Sequence, residues 1–172
     1  LGSTAAYAKL LKGNLDDIRI YSRDLNATEI ATLAGVDLNS TLNQGLIAYY
    51  PFNGNANDES GNGNNGTVVG ATLTTDRSAA NDKAYDFSGS NQYISVPEDS
   101  ELEEDAHTLS LWVRRDDSHF NMFLGKDGYG SERQWMMGCT GDKATAHVWT
   151  SEGLKMITSN ASLSVGTWYH LS

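Results

Sequence analysis

Past residue 45 the chain is a series of short β-rich segments, and clusters of Gly, Asn, Asp and Ser separate them at intervals of about a dozen residues. Strands this short bury an apolar face only when one sheet packs on another, so the spacing predicts an all-β sandwich. A chain of 172 residues is long enough for one sandwich with a real core and somewhat short for two. We predict strands over residues 46–50, 66–69, 84–87, 93–96, 108–114, 122–126, 134–139, 144–149, 154–158 and 167–172.

One helix is predicted, and it begins after Asn26. The Asn26 side chain can cap the free amides of the first turn, and Glu29 stands at the second position of a capping box. Ile30 and Leu33 give the helix an apolar stripe, and Gly35 provides a stop signal. The sequence therefore predicts one short helix in a chain that is otherwise all-β.

The segment 109–114 alternates between aliphatic and other side chains. Because successive strand residues point to opposite faces, its aliphatic residues are predicted to enter the core, with Trp112 and Arg114 facing the other way. In the segment 144–149 the same rule places His147 and Trp149 opposite their small apolar neighbours.

Strict alternation also divides the residues between 15 and 21 into two faces. We predict that Leu15 points away from the two isoleucines of this segment. One face would carry Leu15, Asp17, Arg19 and Tyr21, and the opposite face Asp16, Ile18 and Ile20.

The charge of the chain argues against a nucleic-acid partner. It has 12 basic and 22 acidic side chains and a net charge of −10, whereas phosphate binding needs a basic face. No apolar run reaches the roughly 20 residues that cross a bilayer, so no membrane insertion is predicted. Cys139 is the only cysteine, which excludes an internal disulfide.

Two stretches of the chain resemble one family. Residues 13–34, GNLDDIRIYSRDLNATEIATLA, resemble the closing strand and short helix of LamG-like jelly rolls of the laminin G type 3 kind. Residues 45–66, GLIAYYPFNGNANDESGNGNNG, resemble their opening strand and first loop. The resemblance implies an antiparallel, concanavalin A-like jelly-roll β-sandwich with one short helix.

The two stretches stand in an unexpected order, because the closing one precedes the opening one. We therefore expect residues 1–36 to be the closing strands and helix of a jelly roll, residues 37–45 a linker, and residues 46–172 the first and central strands. Compared with the family pattern, a final hairpin is missing. Residues 1–36 could complete their own sandwich, that of a preceding repeat, or that of a neighbouring subunit.

The loop over residues 53–66, NGNANDESGNGNNG, is rich in the oxygen ligands that calcium prefers. In the resembled family such a loop often lies beside the Asp pair of the closing strand and binds a structural calcium. The resemblance thus implies a calcium site with Asp58 and Asn64 in the loop and Asp16 or Asp17 in the closing strand. The alternative is a metal-free turn held by Asx side chains.

Catalysis is not expected. The related glucanases carry E-x-D-x-x-E on one strand, and glycosidases need two carboxylates about 5–9.5 Å apart. The acidic cluster at residues 98–105 misses this pattern, because Thr108 stands where the last Glu is needed. A solvated turn before the next strand is the simpler interpretation.

Aromatic residues next to polar ones are typical of sugar-binding surfaces, and two pairs fit that description. Trp112 with Arg114, and Trp149 with His147, are candidates for ligand binding if their sheet faces are open. Alternatively, these tryptophans pack under a loop or against a neighbouring domain, since large aromatic side chains are rarely left bare.

The resulting prediction is a non-catalytic LamG-like module that binds a glycan or an extracellular protein in adhesion. Its expected place is outside the cell or at the cell surface, in a tandem-repeat protein whose signal lies outside these residues. A structural subunit of an extracellular array or filament is the alternative, with copies of the chain joined by strand exchange. A glycoside hydrolase is the third option and lacks its carboxylate pair.

Overall fold

The computed structural model describes residues 11–35, 42–97, 107–126 and 135–172. These residues form an antiparallel β-sandwich with one helix, which confirms the predicted fold class. The elements are β1 (Lys12–Tyr21), α1 (Ala27–Leu33), β2 (Leu46–Tyr50), β3 (Thr67–Val69), β4 (Thr72–Thr74), β5 (Ala84–Ser88), β6 (Tyr93–Ser95), β7 (Thr108–Arg115), β8 (Asn121–Lys126), β9 (Trp135–Thr140), β10 (Lys143–Thr150), β11 (Gly153–Ser162) and β12 (Trp168–Leu171).

The strands form two main sheets and a small ribbon. The six-stranded sheet has the order β12-β7-β1-β5-β4, with β2 also paired to β1. The four-stranded sheet is a meander in the order β11-β10-β9-β8, and β3 pairs with β6. Between the two main sheets lies one continuous apolar core.

The strand β1 lies at the centre of the six-stranded sheet. On one edge its first half pairs with β5, through Leu15 and Tyr85, and its second half pairs with β2, through Ile18 and Tyr50. On the other edge it pairs with β7 along most of its length. Strand β1, which resembles the closing strand of the LamG-like pattern, therefore pairs with strands of the same chain. The division into residues 1–36, 37–45 and 46–172 stays a prediction, and residues 1–10 and 36–41 lie outside the described residues.

A β-bulge at Asp16 and Asp17 interrupts the alternation of β1. The register with β7 shifts between Asp16 and Arg19, and Asp17 has a φ of 50°. This extra residue places Leu15, Ile18 and Ile20 together in the core. The prediction that Leu15 points away from the two isoleucines was therefore wrong.

Strand β7 alternates as predicted. Leu111 and Val113 are buried in the core, and the partly buried Leu109 packs against it. Trp112 and Arg114 point to the other face of the sheet, here called the outer face of the six-stranded sheet. This confirms the assignment of the two faces in β7.

The predicted helix and its capping box are confirmed. The Asn26 side chain accepts hydrogen bonds from the amides of Thr28 and Glu29, and the Glu29 carboxylate accepts one from the amide of Asn26. Leu33 packs with Tyr21 and Leu25 in a second apolar cluster. The helix is thereby fixed over the end of β1, at the border of the outer face.

Candidate functional site

The indole of Trp112 lies on the outer face of the six-stranded sheet and is covered only in part, because the residue remains partly exposed. The guanidinium carbon of Arg77 lies 4.7 Å from its ring centroid, and the ring of His170 lies 5.4 Å away. The indole N–H donates to the main-chain carbonyl of Leu33 at 3.4 Å. Trp112 is thus packed under a side chain from the β4–β5 connection, as in the alternative considered for it.

Arg77 pairs with both carboxylates of the β1 bulge. It bonds to the buried carboxylate of Asp16 and lies 3.3 Å from that of Asp17, which also pairs with Arg19 at 3.1 Å. Burial raises the pKa of Asp16 to about 6, although Arg77 acts in the opposite direction. Arg77 therefore holds a buried, energetically costly carboxylate in place. Nothing in the sequence indicates this role, because an arginine in a turn follows no periodicity.

Arg114 lies farther along the same face, beside a second tryptophan. Its guanidinium carbon is 5.9 Å from the ring centroid of Trp168, and its Nε is 3.4 Å from the carboxylate of Asp116. Trp168 and Arg114 are paired residues of β12 and β7. Both residues are partly exposed, as Trp112 is.

His147 and Trp149 lie on the four-stranded sheet. Their rings are 5.9 Å apart, and they point away from the core because Ala144, on the opposite face of β10, packs against it. On the neighbouring β11, Met156 pairs with His147 and Leu154 with Trp149. Leu154 and Met156 are 51% and 59% exposed. We call His147, Trp149, Leu154 and Met156 the β10–β11 patch.

The four predicted ligand residues therefore form two pairs on different sheets and not one site. Alternation within each strand correctly indicated the face that each pair occupies. It carries no information about which strands share a sheet, so it could not tell whether the pairs meet. Binding by Trp112, Arg114, His147 and Trp149 stays a prediction.

The Asp58 carboxylate organises the loop that follows β2. One oxygen accepts hydrogen bonds from the amides of Tyr49 and Ser60, each at 2.9 Å. The other accepts from the Ser60 hydroxyl at 2.8 Å and from the amide of Asn64 at 2.9 Å. Burial favours the neutral acid, but these hydrogen bonds hold the pKa of Asp58 below its usual range.

Asn64 ties the same loop to β2. Its main-chain carbonyl accepts a hydrogen bond of 2.6 Å from the hydroxyl of the buried Tyr50, and its side-chain amide donates to the carbonyl of Ile47 at 3.2 Å. The loop is thus held by its own amides and carboxylate, in the manner of an Asx turn.

These contacts bear on the expected calcium ion. Both oxygens of Asp58 already accept protein hydrogen bonds, and the carboxylates of Asp16 and Asp17 are paired with arginine. In the described ranges no three His, Cys, Asp or Glu side chains are grouped as metal ligands. These carboxylates are therefore already engaged within the protein, and calcium binding stays a prediction.

Residues 98–105, the acidic cluster weighed for catalysis, lie outside the described residues. Within the described residues, no helix has the length and apolar character needed to cross a membrane.

Comparison with known proteins identifies part of the chain. Residues 88–172 match a family model described as the concanavalin A-like lectin/glucanases superfamily. The matched part contains β6 to β12 and therefore both candidate aromatic pairs. No match was found among curated proteins or solved structures.

Proposed function

We propose that this chain, whose residues 88–172 belong to the concanavalin A-like superfamily as part of a LamG-like jelly roll, is a non-catalytic glycan-binding module of an extracellular protein. The superfamily contains both lectins and glucanases, so the fold alone does not choose between binding and hydrolysis. The choice depends on the surface residues.

The observation that carries the proposal is the β10–β11 patch. It combines an indole and an imidazole with two aliphatic side chains that are more than half exposed, on a chain with a net charge of −10. Exposed apolar groups gathered on one face of a soluble domain mark binding surfaces. An aromatic ring offers an apolar face to a pyranose and a polar edge to its hydroxyl groups.

His147 supports a polar ligand. Its Nε2 is buried and has no hydrogen-bond partner within the described residues, and burial lowers the pKa of the ring. Because this nitrogen is shielded from solvent, a ligand reaches it only after a neighbouring side chain moves. We expect the neutral imidazole and the indole to recognise the polar and apolar parts of one sugar ring.

The proposal gives Trp112 a packing role, because Arg77 lies over its ring. Arg114 and Trp168, which are partly exposed, are a second candidate contact on the outer face of the six-stranded sheet. Exchange of residues 1–36 between subunits has no part in the proposal, since β1 already pairs on both edges within its own chain.

A glycan array probed with the labelled full chain tests the proposal, followed by titration of the best glycan. Trp149→Ala should weaken binding at least tenfold, about 1.4 kcal/mol. Val165→Ala serves as the matched control, because Val165 is 50% exposed and lies outside the patch. Both variants should keep the wild-type melting temperature, and no reducing sugar should be released. Absence of glycan binding, or equal binding by Trp149→Ala, would refute the proposal.

A further inference from the structure

Charge is distributed unevenly between the two main sheets. In the described part of the chain, strands β8 to β11 contain neither an acidic residue nor an arginine. The whole chain has 22 acidic and 12 basic side chains, and the outer face of the six-stranded sheet carries the ion pairs around the β1 bulge. The charged residues of β8 to β11 are three lysines, namely Lys126, Lys143 and Lys155.

None of these lysines belongs to the β10–β11 patch. Lys126 and Lys155 lie on the opposite face of the sheet, because each pairs with a residue of the core-facing side. Lys155 also pairs with Glu152, in the turn between the two strands, at 3.0 Å. Lys143 lies on the outward face at the start of β10, and its Nζ donates to the carbonyl of Asn160 at 2.6 Å. Among the described residues, the outward face is therefore uncharged at the patch itself.

The outward face of the hairpin is longer than one sugar. His147 lies opposite Met156, and Trp149 lies opposite Leu154. The exposed Thr158 continues the same row on β11. Because alternate residues of a strand are about 7 Å apart, the row from Leu154 to Thr158 spans about 13 Å. This length exceeds one pyranose ring, so the face has room for several linked sugars.

A charged sugar would lose free energy at this face. Its carboxylate or sulfate would exchange water for aromatic and aliphatic groups, with no arginine fork to receive it. The imidazole of His147 does not replace that cation, because burial lowers its pKa. An acidic sugar would also approach a protein of net charge −10, and a cationic amino sugar would find no carboxylate within β8 to β11 as described. Hydroxyl and N-acetyl groups avoid these costs.

We propose that the β10–β11 patch binds an uncharged oligosaccharide that runs along β10 and β11, and that it discriminates against glycans bearing carboxylate, sulfate or free amino groups. This selectivity rests on the proposed glycan binding, to which it adds a class of sugar. The aromatic and aliphatic side chains of the patch contact the apolar faces of successive rings. Charged counterparts of the same sugars are disfavoured because the patch offers them no partner of opposite charge.

Calorimetric titration of the full chain tests the selectivity with pairs of hexasaccharides that differ in a charged group. Mannose and mannuronate form one pair, N-acetylglucosamine and glucosamine form another, and the glycan array ranks further sugars by charge. Uncharged members should bind at least about tenfold more tightly than charged ones, with little dependence on salt. A charged glycan that binds as tightly as its uncharged counterpart, and loses that binding in Trp149→Ala, would overturn the selectivity but not the proposed function. Absence of all glycan binding would refute the proposed function.

A charge placed within the patch tests whether the preference is local. Leu154→Lys adds a cation there, and Val165→Lys adds the same charge at an exposed apolar position outside the patch. Leu154→Lys should reduce the preference for the uncharged member of the mannose pair about tenfold, because the carboxylate gains a partner. Val165→Lys should leave the preference unchanged. Equal changes in both variants would assign it to the net charge and overturn the proposed origin.

Sugar chains of increasing length test the placement along the strands. Affinity should rise from the disaccharide to the tetrasaccharide of the preferred sugar, and Thr158→Ala should weaken binding of the tetrasaccharide more than that of the disaccharide. Equal affinities for both lengths would overturn the extended placement.

Discussion

The Arg77 guanidinium lies over the indole ring of Trp112, 4.7 Å from the ring centroid, while its nitrogens pair with the two carboxylates of the β1 bulge. One side chain from the β4–β5 connection therefore pairs with both Asp16 and Asp17 and lies over an aromatic residue of β7. This contact joins three separate segments of the chain on one sheet face.

Arg77→Ala should destabilise the protein by about 1–3 kcal/mol, because it leaves the buried Asp16 beside Asp17 without its main counter-charge. Urea unfolding of wild type and variant measures the change. Combining Arg77→Ala with Asp16→Asn should cost less than the sum of the single changes, since both remove the same interaction. Strict additivity would contradict the proposed coupling.

Asp16 should also make stability depend on pH. Burial raises its folded-state pKa to about 6 from 3.8, so the folded state binds a proton more tightly than the unfolded chain does. Its contribution therefore favours the folded state below about pH 4, declines as the pH rises to about 6, and is constant above that. The difference in unfolding free energy between wild type and Asp16→Asn should follow this course. If the wild type instead gained stability relative to Asp16→Asn between pH 4 and 6, the predicted direction of the pH effect would be wrong.

Asp58→Ala should loosen the loop after β2. It removes the acceptor of four hydrogen bonds and leaves the amides of Tyr49, Ser60 and Asn64 without that partner. A loss of about 2–4 kcal/mol is expected in chemical unfolding. The neighbouring Glu59→Ala is the control and should change stability by no more than about 0.5 kcal/mol, because its carboxylate bonds to the exposed Asn53 side chain.

The same variant separates the hydrogen-bonding role of Asp58 from calcium binding. If a calcium ion binds as the family resemblance implies, the wild type should melt at a higher temperature with calcium than with chelator, and Asp58→Ala should lose that difference. If hydrogen bonds alone account for the role of Asp58, the variant should melt at a lower temperature in both buffers by the same amount.

Residues 46–172 without β1 should not fold stably as a monomer. Removing β1 takes Leu15, Ile18 and Ile20 from the core and separates β7 from β2 and β5. Calorimetry and sedimentation of this fragment should show association or the absence of a cooperative transition. A cooperative melt of a monomeric fragment would contradict the central role of β1.

Local signals in the sequence predicted the parts of this structure that local forces decide. The capping box of Asn26 and Glu29 lies within one helical turn, and the alternation in β7 reflects burial of a single strand. Strand β11 was predicted to end at residue 158 but continues to Ser162, because pairing with β10 extends it beyond its apolar residues. The β1 bulge likewise depends on partners on both edges of the strand, and strict alternation cannot indicate it.

The candidate site was predictable only in part for the same reason. Alternation correctly predicted that Trp112 points away from the core. The side chain that lies over its ring is Arg77, 35 positions earlier in the chain. Whether an outward-facing aromatic residue is open to a ligand depends on such distant segments.

The central place of β1 also constrains the order in which this protein folds. Lys12–Tyr21 leaves the ribosome before every strand with which it pairs, and its pairing along one edge waits for Thr108–Arg115. Contacts so far apart in sequence slow folding and leave apolar strands exposed in the meantime. We therefore expect the nascent chain to remain without a stable core until β7 has been synthesised, and to depend on chaperones over that interval.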